Sequence, residues 1–177
     1  MHTRFLYITD KAKSPAEATM SAENWFNSFV PQDQAYDENG DFIDENANVA
    51  FFDWYVVGGR WNYALVFANL DDRRLVDLFE NSSYNRNTAV FYRNTDDRYK
   101  DNFSLFFPNA DNPAETISAY QNIAMLITEN IYNNLILELK DQFVDYYFES
   151  YEDIAIHSIP KTDLIGKAYA VVIDYHN

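Results

Sequence analysis

The sequence predicts an α+β fold in which a mainly antiparallel sheet carries a long C-terminal helix on one face. Three observations predict it. Segments typical of strands and of helices follow one another without strict βαβ alternation. Residues 114–159 contain neither Gly nor Pro, and their apolar residues recur at helical spacing. The 177 residues are 47% hydrophobic and 18% aromatic, enough for a sizeable core. We therefore expect a single domain spanning residues 1–177.

The first elements are predicted to be a strand, a helix and an acidic loop. Residues 5–8 are apolar and aromatic, which is typical of a β-strand. Ser14, Pro15 and Glu17 then supply an N-cap, a proline at the first helical position and an acid at the third. This arrangement predicts a helix that ends before Pro31, followed by an acidic loop over residues 31–48.

A central hairpin is predicted over residues 49–68, with Gly58-Gly59 as its two-residue turn, because both positions of such a turn need positive φ. Counting outward from the turn places two sets of side chains on opposite faces. The apolar face, expected in the core, carries Phe52, Trp54, Val56, Trp61, Tyr63 and Leu65. The other face carries the candidate site residues of the hairpin motif, Asp53, Tyr55, Arg60 and Asn62. This register separates Asp53 from Arg60 by about 13 Å, too far for an ion pair unless a bulge shortens the strand.

The remaining predicted segments are, in order, a helix at 71–80, strands at 88–92 and 103–107, a second N-cap at 112–115, the long helix from 114 to 149, and a strand at 168–173. The long helix would measure about 55 Å, which is long for a domain of this size. We therefore expect a break or kink near Asn133-Asn134.

The formal net charge of −15 is concentrated in two segments. Residues 32–53 hold seven acids and no Lys or Arg, and residues 129–153 hold seven acids against one lysine. Such a surface repels nucleic acid and attracts basic partners. We therefore expect no direct binding to nucleic acid.

Five carboxylates in the second segment follow one another at intervals of three or four residues, which would line them up along a helix. They are Glu138, Asp141, Asp145, Glu149 and Glu152. Their rise of about 4.5–6 Å is close to the phosphate spacing of a nucleic-acid strand. This acidic helix is either a mimic of a phosphate backbone or an ordinary solvated helix face. A second candidate partner-binding segment is the acidic loop, with Asp37, Glu38, Asp41, Asp44 and Glu45.

Several kinds of chemistry have no support in the sequence. The chain has no cysteine, which excludes disulfides and thiolate chemistry. It contains no H-E-x-x-H, G-x-S-x-G or phosphate-loop motif. An EF-hand alignment on Gly40 fails because Ala35 and Asn46 would occupy ligand positions. We expect no metal or cofactor, no transmembrane helix, no signal peptide and a cytoplasmic location in a bacterial host cell.

Residues 53–61, D-W-Y-V-V-G-G-R-W, resemble a motif of the form D-[WY]-[WY]-x-[IV]-G-G-R-W found in small uncharacterised proteins of bacteriophages and bacteria. The resemblance implies a phage or mobile-element context and carries no known activity. In size and charge the chain also resembles acidic phage proteins that act against host defences, such as anti-CRISPR and anti-restriction proteins.

The leading hypothesis is therefore a non-enzymatic inhibitor that presents the acidic helix and loop to a basic nucleic-acid-binding protein, such as a CRISPR effector or restriction enzyme. The alternative is a small hydrolase or ligand-binding domain that uses the polar hairpin face around Arg60. A third hypothesis is a phage protein whose acidity serves only solubility. The long helix and the many aromatic residues would suit a homodimer as well as a large core.

Overall fold

The computed structural model describes residues 1–62, 64–69, 122–137, 145–152 and 154–177. Within these ranges five strands form one sheet, in the order β2-β5-β1-β4, with β3 also paired to β5. The strands are β1 (His2–Thr9), β2 (Trp54–Val57), β3 (Ala124–Leu126), β4 (Asp145–Phe148) and β5 (Tyr169–His176). Strand β5 is antiparallel to β1, β2 and β3, whereas β4 runs parallel to β1. The chain's last strand is thus the centre of the sheet.

The described helices are short. They are α1 (Pro15–Asn27), α2 (Gln32–Ala35), α3 (Ala64–Asn69), α4 (Glu129–Ile131) and α5 (Lys161–Leu164). A π-helical turn, Tyr132–Ile136, continues directly from α4, and 3-10 turns cover Gly59–Trp61 and Ile156–Ser158. The longest of the described helices, α1, has 13 residues.

Helices cover both faces of the sheet. Successive side chains of a strand point to opposite sides, so each strand contributes residues to both faces. On one face, which we call the α1 face, Phe5 and Tyr7 of β1 pack with Phe26 of α1. On the other, the α3 face, Leu6 and Ile8 pack with residues of α3, α4, the π-helical turn and α5. Each face therefore has its own buried cluster.

Helix α1 begins and ends as the sequence predicted. The Ser14 side chain accepts a hydrogen bond from the Glu17 backbone N–H (3.2 Å), and Pro15 is the first helical residue. Ala18, Ala22 and Phe26 recur every four residues and are the buried positions of the helix. The N-cap, the helix and its end before Pro31 are confirmed.

The predicted long C-terminal helix is wrong. Residues 145–148, within its predicted span, form β4, which pairs in register with β1 from Phe5↔Asp145 to Ile8↔Phe148. Residues 124–126, also within that span, form β3. Apolar residues every three or four positions fit a helix, but the aromatic run Tyr146-Tyr147-Phe148 also suits a pleated strand. Pairing with a buried strand decided between the two.

The predicted Gly58-Gly59 hairpin is also wrong. Strand β2 pairs with β5, from Trp54↔His176 to Val57↔Ile173, and not with the residues that follow it. Both glycines do have positive φ, 81° and 54°. They turn the chain out of β2 into a 3-10 turn and then into α3, so the cross-turn pairs counted from the sequence do not form.

Several predicted features lie outside the described residues. They are the helix at 71–80, the strands at 88–92 and 103–107, the N-cap at 112–115, Tyr63, and the acids Glu138 and Asp141. Among the helices of the described part of the chain, none is both long and apolar enough to cross a membrane.

Candidate functional site

The most unusual buried group is Asp174 on β5, which is 2% exposed. A buried carboxylate needs hydrogen-bond donors to replace lost water. His2 Nδ1 lies 2.9 Å from Asp174 Oδ1, and the Arg60 backbone N–H donates to Asp174 Oδ2 at 3.2 Å. Each carboxylate oxygen of Asp174 thus has one hydrogen-bond partner, and Nε2 is the His2 ring nitrogen on the far side from Asp174.

The Gly58-Gly59 turn brings backbone close against this carboxylate. A Cβ built on Gly59 would lie 2.4 Å from Asp174 Cβ and 2.7 Å from its Oδ2, distances that real Cβ atoms essentially never show. A Cβ on Gly58 would lie 2.5 Å from Ile123 Cγ2. The Gly58 N–H also donates to the Val172 carbonyl at 2.7 Å. Both glycines are therefore needed for close approach as well as for positive φ.

Three aromatic rings from three adjacent strands meet beside Asp174. The Trp54 and His176 rings are parallel, with centroids 5.7 Å apart and an interplanar angle of 1°. His2 meets Trp54 edge-on at 5.1 Å and His176 at 5.4 Å. The His176 ring is also held by a carboxylate, because its Nδ1 lies 3.1 Å from Asp53 Oδ2.

These residues border a cavity of about 370 Å³, which we call the Asp174 pocket. Its described lining is His2, Trp54, Gly59, Arg60 and Asp174. The volume lies in the range of small-molecule sites, about 300–1,000 Å³. The pocket combines a cation, a buried carboxylate bonded to a half-buried imidazole, and an exposed indole ring.

The four hairpin-motif residues do not share one face. Arg60 lines the Asp174 pocket, whereas the Tyr55 ring packs on Phe26 over the α1 face, with its hydroxyl donating to Asn27 Oδ1 at 2.7 Å. Burial raises the pKa of Tyr55, and the charge of Glu23 raises it further. Asp53 lies beside His176 at the sheet end.

The two predicted hairpin faces are inverted in β2. Trp54 and Val56, expected in the core, are 43% and 44% exposed. Tyr55 and Val57, expected outside, pack against the buried cluster of the α1 face. The Asn62 side-chain oxygen is buried and has no hydrogen-bond partner among the described residues.

The described members of the predicted acidic helix are not in a helical line. Asp145 is on β4, and Glu149 and Glu152 follow it. The Tyr175 hydroxyl donates to Asp145, the Thr9 hydroxyl donates to Glu149, and the Tyr147 hydroxyl donates to Glu152 at 2.9 Å. These carboxylates are tied to hydroxyls of the sheet, so the regular spacing expected of a phosphate mimic is absent at the described positions.

The acidic loop keeps its carboxylates in solvent. Asp37 Oδ1 accepts from the backbone N–H groups of Asn39 and Asp41, at 2.8 and 2.9 Å. These bonds, first the one from Asp41, lower the pKa of Asp37. All five predicted loop acids are exposed, and none has a Lys or Arg ion pair among the described residues: Asp37, Glu38, Asp41, Asp44 and Glu45.

In the described ranges no group of three or more His, Asp or Glu side chains is placed to hold a metal ion. Comparison of the chain with known protein families, with curated proteins and with solved structures finds no match. The geometry of the site is therefore the basis for any functional proposal.

The sequence does not single out His2, Asp174 or His176, because both histidines stand near chain ends and the predicted final strand ends at residue 173. One signal was available. Asp174 is a lone acid directly after the apolar run 170–173, and a charge in a strand of that kind needs a partner. The identity of the partner, 172 residues away, had no local signal.

Proposed function

We propose that the protein binds a small anionic ligand in the Asp174 pocket. The observation that carries the proposal is the placement of Arg60 beside the His2–Asp174 pair. A guanidinium group offers paired N–H donors that match carboxylate and phosphate oxygens. Within the described part of the chain the Arg60 side chain has no carboxylate partner within ion-pair distance. No carboxylate of the described residues therefore neutralises this guanidinium group.

The backbone under Arg60 is rigidly placed, which favours recognition over a loose surface contact. The Arg60 N–H is bonded to Asp174, and the Trp61 N–H donates to the Gly58 carbonyl at 3.1 Å. A donor whose backbone is already fixed loses less conformational entropy when it binds.

The overall charge of −15 does not exclude a small anion. At physiological ionic strength, charges more than about 8 Å away are largely screened. A small ligand therefore responds to the nearby groups. The Asp174 carboxylate, the only acid in the described lining, is already bonded to His2 and to the Arg60 backbone.

The proposal is tested by titrating the protein with inorganic phosphate and following amide shifts by NMR. Shifts should centre on Arg60, His2 and Trp54. Arg60→Gln should weaken phosphate binding by roughly 10- to 150-fold, the worth of charge-assisted hydrogen bonds. The control is Lys167→Gln. Lys167 is exposed and lies shortly before the first residue of β5, at the strand end opposite His176, so this change also removes one positive charge and should leave binding nearly unchanged. Equal losses in the two variants, or no shifts at all, would contradict a site at Arg60.

A second candidate function is the inhibition of a basic nucleic-acid-binding protein through the acidic loop. The observation that favours it is the five exposed carboxylates, among which Phe42 and Ile43 are 51% and 66% exposed. Apolar side chains ringed by charge are typical of protein interfaces. The partner would be a CRISPR effector or a restriction enzyme, and the phage-like motif at 53–61 supports that context.

This second candidate is tested by DNA cleavage with a purified CRISPR nuclease or restriction enzyme in the presence of the protein. Inhibition should be lost when the five loop acids are changed to Asn or Gln. The side chains of Asp37 and Asp44 accept hydrogen bonds from the backbone N–H groups of Asn39 and Asn46. An Asn at either position can accept the same bond, so the loop should keep its shape. Full inhibition by the neutralised loop would rule out its role.

A further inference from the structure

Trp54 is placed as a platform for a flat ligand ring. Large apolar side chains are usually buried, yet Trp54 is 43% exposed while lining the Asp174 pocket. Its indole is held by the parallel ring of His176 and the edge of His2. An aromatic surface that is both exposed and fixed by neighbours can stack on a ligand with little loss of entropy.

The aromatic platform and the cation line the same small pocket. In the pairing of β2 with β5, Trp54 lies opposite His176 and Val56 lies opposite Asp174. The two pairs, one with the aromatic rings and one with the carboxylate, are therefore two residues apart along the strands. That separation is about 6.8 Å. The backbone of Arg60 is held beside Asp174, because its N–H donates to Asp174 Oδ2. A ligand that reaches both groups needs a flat ring, a short spacer and an anionic group.

We infer that the Asp174 pocket takes a single nucleotide, with its base stacked on Trp54 and its phosphate on Arg60; this rests on the proposed anion site. The volume of about 370 Å³ suits one small molecule. A nucleic-acid strand is disfavoured because it would extend its phosphates past the pocket over a surface of net charge −15.

Calorimetric titrations with adenosine monophosphate, adenosine and inorganic phosphate test the inference on the unmodified protein. Adenosine monophosphate should bind at least tenfold more tightly than either part alone. If phosphate binds as tightly as the nucleotide, the base contributes nothing; the inference is then overturned while the anion site stands. If none of the three binds, both are overturned.

Variants test the stacking partner. Trp54→Leu should weaken adenosine monophosphate binding by roughly 5- to 150-fold, the range for one stacked base, and the loss should be larger than its loss for inorganic phosphate. Phe42→Leu removes an exposed aromatic ring that does not line the pocket and serves as the matched control. Trp54→Phe, which keeps a flat ring, should recover much of the affinity. Unchanged nucleotide binding in a folded Trp54→Leu protein would overturn the inference.

Discussion

Gly59 shows how a single missing side chain builds the site. Its φ of 54° favours glycine, and the space for a Cβ is occupied by Asp174. Gly59→Ala should lower the free energy of unfolding by about 2–6 kcal/mol, combining a strained backbone and an overpacked contact. Urea denaturation followed by circular dichroism measures the change. Ligand binding should also weaken, because the Arg60 N–H must move from Asp174.

The control for this prediction is Gly166→Ala. Gly166 also has positive φ, 72°, but a Cβ there would meet nothing within 4 Å. Its cost should be the backbone term alone, about 1–2 kcal/mol. If the two variants lose the same stability, the close approach of Gly59 to Asp174 is not what requires glycine.

Tyr175 gives the clearest pH dependence. Burial, followed by its hydrogen bond to Asp145 and the charge of that carboxylate, together raise its pKa from 10.0 to about 12. Below pH 10 the phenol is neutral in both states, and this stability is fully present. Between pH 10 and about 12 only the unfolded state ionises, so stability falls as pH rises. Tyr175→Phe should show a shallower fall over that window in urea denaturation.

Tyr147 offers an independent check of the same effect. Burial, followed by its hydrogen bond to Glu152, raises its pKa to about 12. Tyr147→Phe should likewise flatten the alkaline loss of stability. If stability plotted against pH is the same for both phenylalanine variants and the wild type above pH 10, neither hydroxyl causes the alkaline loss of stability.

At the scale of elements, local chemistry could be predicted and pairing could not. The positive φ of Gly58 and Gly59 and the start of α1 follow from short-range rules, and the structure has both. The partner of β2 does not. Gly-Gly between two β-prone runs favours a hairpin, but β2 pairs with β5 instead, and Tyr55 and Val57 rather than Trp54 and Val56 pack on the buried cluster of the α1 face.

The boundary between helix and strand failed for a related reason at β4. Periodicity in residues 114–149 fits a helix, and nothing local forbids it. Pairing with β1 places Phe148, 2% exposed, in the cluster of the α3 face. Such burial depends on a strand more than a hundred residues away in sequence. A window of sequence cannot contain that information.

Helix α1 supports a prediction at its own scale. Ser14→Ala removes the side-chain acceptor for the Glu17 N–H and should cost about 0.5–2 kcal/mol of unfolding free energy. Asn24→Ala, at an exposed position inside the same helix, should be neutral or stabilising by about 0.5 kcal/mol, since Ala is the better helix former. Thermal unfolding of both variants measures the contrast. Equal effects would mean that the cap does not set the helix start.

At the scale of the molecule, the candidate site joins the two ends of the described chain. His2 and Asp174 meet because β1 and β5 pair along their whole length, from His2↔His176 to Thr9↔Tyr169. The turn at Gly59 then adds Arg60 through β2. The sequence marked Arg60 as distinctive, but a site assembled from three strands could not be predicted before their order was known.

The acidity of the whole chain predicts its response to salt. Self-repulsion at a formal charge of −15 opposes the folded state, and it is screened as ionic strength rises. Between about 0.01 M and about 1 M NaCl the screening length falls from about 30 Å to about 3 Å. The melting temperature of the protein should therefore rise over this range, as followed by circular dichroism.

The variant with Asn or Gln at Asp37, Glu38, Asp41, Asp44 and Glu45 separates this repulsion from general effects of salt. It reduces the net negative charge from −15 to about −10. Both buried clusters stay intact, because all five positions are exposed. It should melt above the wild type at low salt and gain less from added NaCl. The same salt response in both proteins would mean that the loop charges do not oppose folding, and the acidity would then need a functional explanation such as a basic partner.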